Sequence, residues 1–62
     1  MVDLGAGDGS LGAAIIEALP DLEVTCVDLV PRPENLDHRI TWWSGDVFDY
    51  ERYDETTVVV AN

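Results

Sequence analysis

The apolar positions of this chain fall into five runs, and their periods differ. Val2 to Leu4 is a short run with a glycine cluster behind it, as a strand entering a tight loop would be. Leu11, Ile15, Ile16 and Leu19 follow at helical spacing and predict a helix from Leu11 to Leu19. Ser10 suits its N-cap, since a hydroxyl can accept from a free N–H of the first turn, and Pro20 cannot continue it. Glu23 to Val30 is rich in β-branched residues and ends against Pro31 and Pro33, which predicts a second strand. Ile40 to Ser44 predicts a third, closed by Gly45 and Asp46. Thr56 to Ala61 predicts a fourth, and its near-continuous β-branched character is that of a strand buried on both faces of a parallel sheet. Strand, helix and strand in alternation argue an α/β layer with right-handed crossovers. The connections Pro31 to Arg39 and Val47 to Glu55 are short for crossover helices and hold a turn or two each. One face of the sheet is therefore expected to be thinly covered, and Trp42 and Trp43 should point to opposite faces.

Composition narrows the class. With 62 residues the chain holds one domain at most, and a chain of this size buries only about 60% of its unfolded surface. The single cysteine, Cys26, permits no internal disulfide, and no Cys/His cluster offers a structural zinc. Cys26 lies in an apolar run and reads as a buried reduced thiol, which fits a reducing, cytoplasmic setting. Three arginines and no lysine face 13 acids, for a net charge of −10. Such a balance argues against a nucleic-acid surface or an anionic membrane, both of which need cations. No apolar stretch approaches the roughly 18 residues of a membrane span, and no signal-peptide pattern is visible.

The chemistry concentrates in Asp3-Leu4-Gly5-Ala6-Gly7-Asp8-Gly9-Ser10. After a strand, glycines let the backbone turn sharply and approach a ligand, while the next helix aims its first N–H groups at it. Asp28, about 20 residues further on at the end of the second strand, stands where an acid can accept from ribose hydroxyls. The combination points to a nucleotide-type cofactor. Spacing alone leaves a dinucleotide open: from Gly5 the pattern GxGxG places Ser10 where a third glycine or alanine belongs, yet Gly7 to Gly12 (GDGSLG) does fit GxGxxG. Charge discriminates. A pyrophosphate here would meet Asp8 and lie near Asp3 with no lysine to offset them. A sulfonium and an ammonium suit the same acids.

The run VDLGAGDG resembles the first motif of class I S-adenosylmethionine-dependent methyltransferases, an acidic residue followed by GxGxG. The resemblance implies that Asp3 helps hold the methionine end and that Gly5, Ala6, Gly7 and Gly9 form the loop passing close to the cofactor. It implies that Asp28 binds the ribose and that Leu29 packs on adenine. Gly45-Asp46-Val47-Phe48 is similar to the family's third-strand ending, where Asp46 would accept from the adenine amino group and the Val47 N–H would donate to the ring. Val58 to Asn62 looks like the fourth strand, whose end faces the methyl group; this assigns Asn62 to the cofactor and substrate side. The fold so implied is α/β, a partial Rossmann-like parallel sheet of about four strands in order 3-2-1-4, with one main helix after strand 1.

The activity implied is in-line transfer of a methyl group from sulfur to a nucleophilic acceptor, with S-adenosylmethionine as the cofactor and no metal. Protein groups supply position and electrostatics. His38, in a polar connection, reads as solvated rather than as a base. The acids Asp49, Glu51, Asp54 and Glu55 lack the spacing of a metal-binding loop. Residues 1–62 are expected to be the cofactor-binding half of an incomplete domain, inactive alone and prone to self-association through exposed sheet edges. The rival readings are a non-catalytic fragment and an NAD-type dinucleotide module.

Overall fold

The computed structural model describes residues 1–61, and Asn62 lies outside the described residues. Strand β1 (Val2–Leu4) leads through the glycine loop into helix α1 (Ser10–Ala18). Strand β2 (Thr25–Asp28), strand β3 (Thr41–Ser44), a single 3₁₀ turn (Val47–Asp49) and strand β4 (Val59–Ala61) follow. The four strands form one parallel sheet in order β3-β2-β1-β4, with Val2 opposite both Thr25 and Val59, and Asp28 opposite Ser44. The fold class, strand order and single main helix are those expected. β1 has the expected bounds, whereas β2, β3 and β4 are shorter than Glu23 to Val30, Ile40 to Ser44 and Thr56 to Ala61.

Two small cores lie on the two faces of the sheet. On the α1 side Ala6, Ile16, Val24, Cys26 and Ile40 are buried together, flanked by Met1, Ala13, Ile15, Leu22, Leu36 and Trp42. On the other side Val2, Val27 and Tyr50 are buried, with Leu4, Trp43 and Val47 against them. Trp42 and Trp43 thus serve opposite faces, as the period of a strand requires. The second face is covered by no helix among the described residues. Instead Tyr50, from the connection after β3, meets Trp43 edge-on at 5.4 Å between ring centroids, and Tyr53 stacks edge-on against Tyr50 at 5.2 Å.

The structure corrects three expectations. Ser10 is not the cap: Gly9 holds that position at φ 79°, and Ser10 is the first helical residue. Its N–H and hydroxyl both donate to the carboxylate of Asp8, the former at 3.0 Å. A left-handed cap needs glycine, and it moves the side-chain acceptor back to position 8. Second, the buried side of α1 is Gly12 and Ile16, with Leu11 and Leu19 exposed. A Cβ on Gly12 would stand 3.1 Å from Cys26 Sγ and 3.2 Å from Val24, so the helix sits on β2 at this point. That close approach rotates Leu11 and Leu19 outward. Third, β4 is not buried on both faces: Val59 is 45% exposed. It pairs only with β1, at the sheet edge.

Cys26 is fully buried and unpaired, and burial pushes its thiol up to about 11. Among the described residues, no helix is long and apolar enough to cross a membrane.

Candidate functional site

The loop after β1 is shaped by three glycines with positive φ: Gly5 at 72°, Gly7 at 64° and Gly9 at 79°. Other L-residues rarely adopt these angles, so the path is available to this sequence and to few others. The loop is hooked to β2 at its start. Both the Gly5 and Ala6 N–H groups donate to the Val27 carbonyl, at 2.8 and 3.1 Å. The glycines then part company. Gly5 and Gly7 are exposed, and a Cβ on Gly7 would meet nothing within 4 Å. Gly9 is buried, and a Cβ there would collide with Leu36 Cδ1 at 2.5 Å. Gly9 thus answers to packing against the 31–39 connection, while Gly5 and Gly7 stand open to solvent with their N–H groups turned to β2.

A cleft of about 320 Å³ opens at the carboxyl ends of the strands, lined by Gly5, Asp28, Leu29, Asp46, Val47 and Phe48. Open parallel sheets bind ligands at this edge, because loops diverge there and helix N-termini converge. Five of the six lining residues are among those the motifs single out. The structure brings them together from three separate loops. Phe48, part of the third-strand ending but given no role, is 89% exposed at the cleft, beside Leu29 at 75%. Its position next to Asp46-Val47 is the signal that would have found it.

Asp28 ends β2 half-buried, and its two oxygens are already engaged. Oδ2 accepts from the Gly7 N–H at 2.8 Å, and Oδ1 from the Val30 N–H at 3.2 Å. These donors, Gly7 first, hold its carboxyl below the usual carboxylate range. Each oxygen keeps acceptor capacity for a hydroxyl. Asp46 caps the 3₁₀ turn, its Oδ1 accepting from the Phe48 N–H at 2.9 Å. The geometry leaves the Val47 segment at the cleft wall.

Asp3 is different. It lies in the middle of β1, opposite Cys26, with no exposed surface, and neither carboxylate oxygen has a hydrogen-bond partner among the described residues. Burial, and secondarily the charge of Asp28, raise its carboxyl above the ordinary range. A buried acid without a donor is costly, and a cationic group brought nearby would relieve it. Asp8, by contrast, is exposed and turned back onto Ser10, which lowers its pKa. It does not line the cleft.

The remaining polar candidates stand apart. His38 is exposed over 95% of its side chain, 3.9 Å from Asp37. Two of the three arginines serve structure: Arg32 donates to the Ile40 and Asp37 carbonyls at 2.6 and 3.0 Å, and Arg39 donates to the Asp37 carboxylate at 2.6 and 3.0 Å, while Arg52 lies in the connection after β3, away from the cleft. Among the described residues no three His, Cys, Asp or Glu side chains gather as a metal site.

The chain is 38% identical over 52 residues to pluviatolide O-methyltransferase of Sinopodophyllum hexandrum. It is 35% identical over 54 residues to acetylserotonin O-methyltransferase 1 of Oryza sativa subsp. japonica. Each likeness takes in 81% of this chain, and the chain spans 14% of the length of each of these relatives. The similarity is to methyltransferases acting on oxygen, over a short stretch of them. No family model matches the chain. No solved structure matches it.

Proposed function

We propose that this chain is the S-adenosylmethionine-binding part of a methyltransferase that modifies a nucleophilic acceptor. The observation that carries the reading is the cleft itself: Gly5, Asp28, Leu29, Asp46 and Val47 converge on it, and no cation lines it. In this reading Asp28 receives the ribose hydroxyls, Leu29 and Val47 flank adenine, and Asp46 takes its amino group. Gly5, Ala6 and Gly7 present backbone to the ligand, and Asp3 just ahead of them favours a cationic methionine end. Gly9 contributes by fixing the loop. When bound, the cofactor supplies an electrophilic methyl group; the residues here orient it and set the local charge. The identity of the relatives supports oxygen as the acceptor atom. The reading places the chain in a reducing, cytoplasmic setting, with the rest of the domain supplying the acceptor site, and with self-association favoured where β4 is uncovered.

A second reading, a dinucleotide module, draws on one observation. Gly12 packs against β2 as the third glycine of GxGxxG does, permitting close helix–strand contact. Against it stand Asp28 and Asp46 in the cleft, with Arg32 and Arg39 engaged elsewhere. Calorimetric titration with S-adenosylhomocysteine and, separately, with NAD decides between them. We expect S-adenosylhomocysteine to bind more tightly; tighter binding of NAD overturns the assignment. Incubation with labelled methyl donor and a panel of hydroxyl-bearing acceptors then separates a catalytic chain from one that only binds.

A further inference from the structure

The cleft rim is tied to β3 by two side chains that touch no part of the cleft. The Val30 carbonyl accepts from Ser44 Oγ at 2.7 Å and from Trp42 Nε1 at 3.0 Å, and Trp42 Nε1 also lies 3.3 Å from Ser44 Oγ. The Val30 N–H in turn donates to Asp28 Oδ1 at 3.2 Å, and Asp28 Oδ2 accepts from the Gly7 N–H at 2.8 Å. The Gly45 N–H also donates to the Asp28 carbonyl at 2.9 Å. The hydrogen bonds therefore run from β3, through residue 30, through both oxygens of one carboxylate, into the glycine loop.

We infer that Trp42 and Ser44 are positioning residues for the ligand cleft: by holding the Val30 carbonyl they fix the Asp28 carboxylate, and through it the Gly7 turn. The argument is geometric. A carboxylate on a strand end rotates about two side-chain torsions, and a hydroxyl pair is recognised only when both oxygens face it. Two donors from the backbone set that rotation, and one of them, the Val30 N–H, belongs to a residue whose own carbonyl, in the following peptide, is held by β3. Leu29 lies between these fixed points, so its exposed side chain is held over the same cleft. A serine and a tryptophan two positions apart share one face of a strand, which is why both reach the same carbonyl. The inference rests on the reading of the cleft as a ligand site only for its effect on affinity.

The first test needs no ligand. In the isotope-labelled 62-residue chain, Ser44→Ala should shift the amide protons of both Val30 and Gly7, and Ser44→Thr, which keeps the hydroxyl, should restore them. Trp42→Phe, which keeps an aromatic ring but loses the donor, should move the same two amides. A shift confined to Val30, or a fall in melting temperature with the Gly7 amide unmoved, overturns the inference. The second test titrates adenosine and 2′,3′-dideoxyadenosine into each variant. Ser44→Ala should weaken adenosine about three- to tenfold, the effect of one ordinary hydrogen bond, and leave the dideoxy compound within about twofold. Equal weakening of both compounds overturns it. If neither nucleoside binds the unaltered chain, the proposed function fails, while the amide shifts at Gly7 still decide the positioning role.

Discussion

Two carboxylates at neighbouring strand positions meet opposite conditions in this molecule. Asp28, at the rim of the cleft, receives backbone donors on both oxygens, and its pKa falls. Asp3, within β1 ahead of the glycine loop, is buried without a donor among the described residues, and its pKa rises. The rim is preorganised and comfortable, whereas Asp3 is under electrostatic stress. The contrast shows that donors at hand, more than position in the sheet, decide whether a carboxylate rests easily. An acid that destabilises the free chain becomes favourable when a positive group approaches.

The largest break in this contrast should come from Asp28→Ala. It removes the acceptor for ligand hydroxyls and for the Gly7 and Val30 amides together, and S-adenosylhomocysteine affinity should fall roughly a hundredfold by calorimetry. Asp3→Asn should act in the opposite direction on stability. Removing the unpaired buried charge should stabilise the chain by about 1–2 kcal/mol in urea unfolding at neutral pH, while weakening the cationic ligand. A destabilised Asp3→Asn chain would mean that Asp3 is paired in solution.

Acidity separates the two more finely. Asp28 has a lowered folded-state pKa, so its contribution is complete above the unfolded carboxylate range and is lost as pH falls through the lowered value. Asp3 has a raised one, so its penalty is absent below the unfolded range and complete only once pH has risen through the raised value. The advantage of Asp3→Asn should therefore vanish on acidification below about pH 4, while Asp28→Asn should flatten the acid limb of the stability curve. Denaturant midpoints measured from pH 3 to pH 7 check both signs. The smallest effect belongs far from either acid. Val59→Thr on the exposed β4 edge should change stability by under about 0.5 kcal/mol, and analytical ultracentrifugation should show less association if that edge joins copies of the chain.

Much of the fold was legible because β-branched runs mark strands and one period of 3.6 marks a helix. Val24 to Asp28 and Ile40 to Ser44 carry that signal without ambiguity. The misreadings share a cause: each depended on which neighbour lies across a gap. Ser10 looked like a cap until the left-handed Gly9 took the position. Leu11 and Leu19 share the helical spacing of Ile15 and Ile16, yet they are exposed, because Gly12 and Ile16 are what the helix turns toward the sheet. The Thr56 to Ala61 run looked doubly covered, but hydropathy does not say whether a strand has one neighbour or two. In the cleft, motif spacing flagged Gly5, Asp28, Leu29, Asp46 and Val47, whereas Phe48, at the end of the same motif, carries neither a polar group nor a glycine's freedom to mark it. Nor did spacing distinguish the glycine that faces the cleft from Gly9, which Leu36 covers. The bonds from Ser44 and Trp42 to Val30 were invisible for the same reason, since each joins residues a dozen or more positions apart.

The pairing of β1 with both β2 and β4 also has a consequence in time. Val2 meets Thr25 early in the sequence but Val59 only near its far end. During synthesis at about 5–20 residues per second, one flank of the first strand therefore waits for several seconds after the other can be occupied. A nascent chain of this design leaves one flank of an inner strand open throughout that interval.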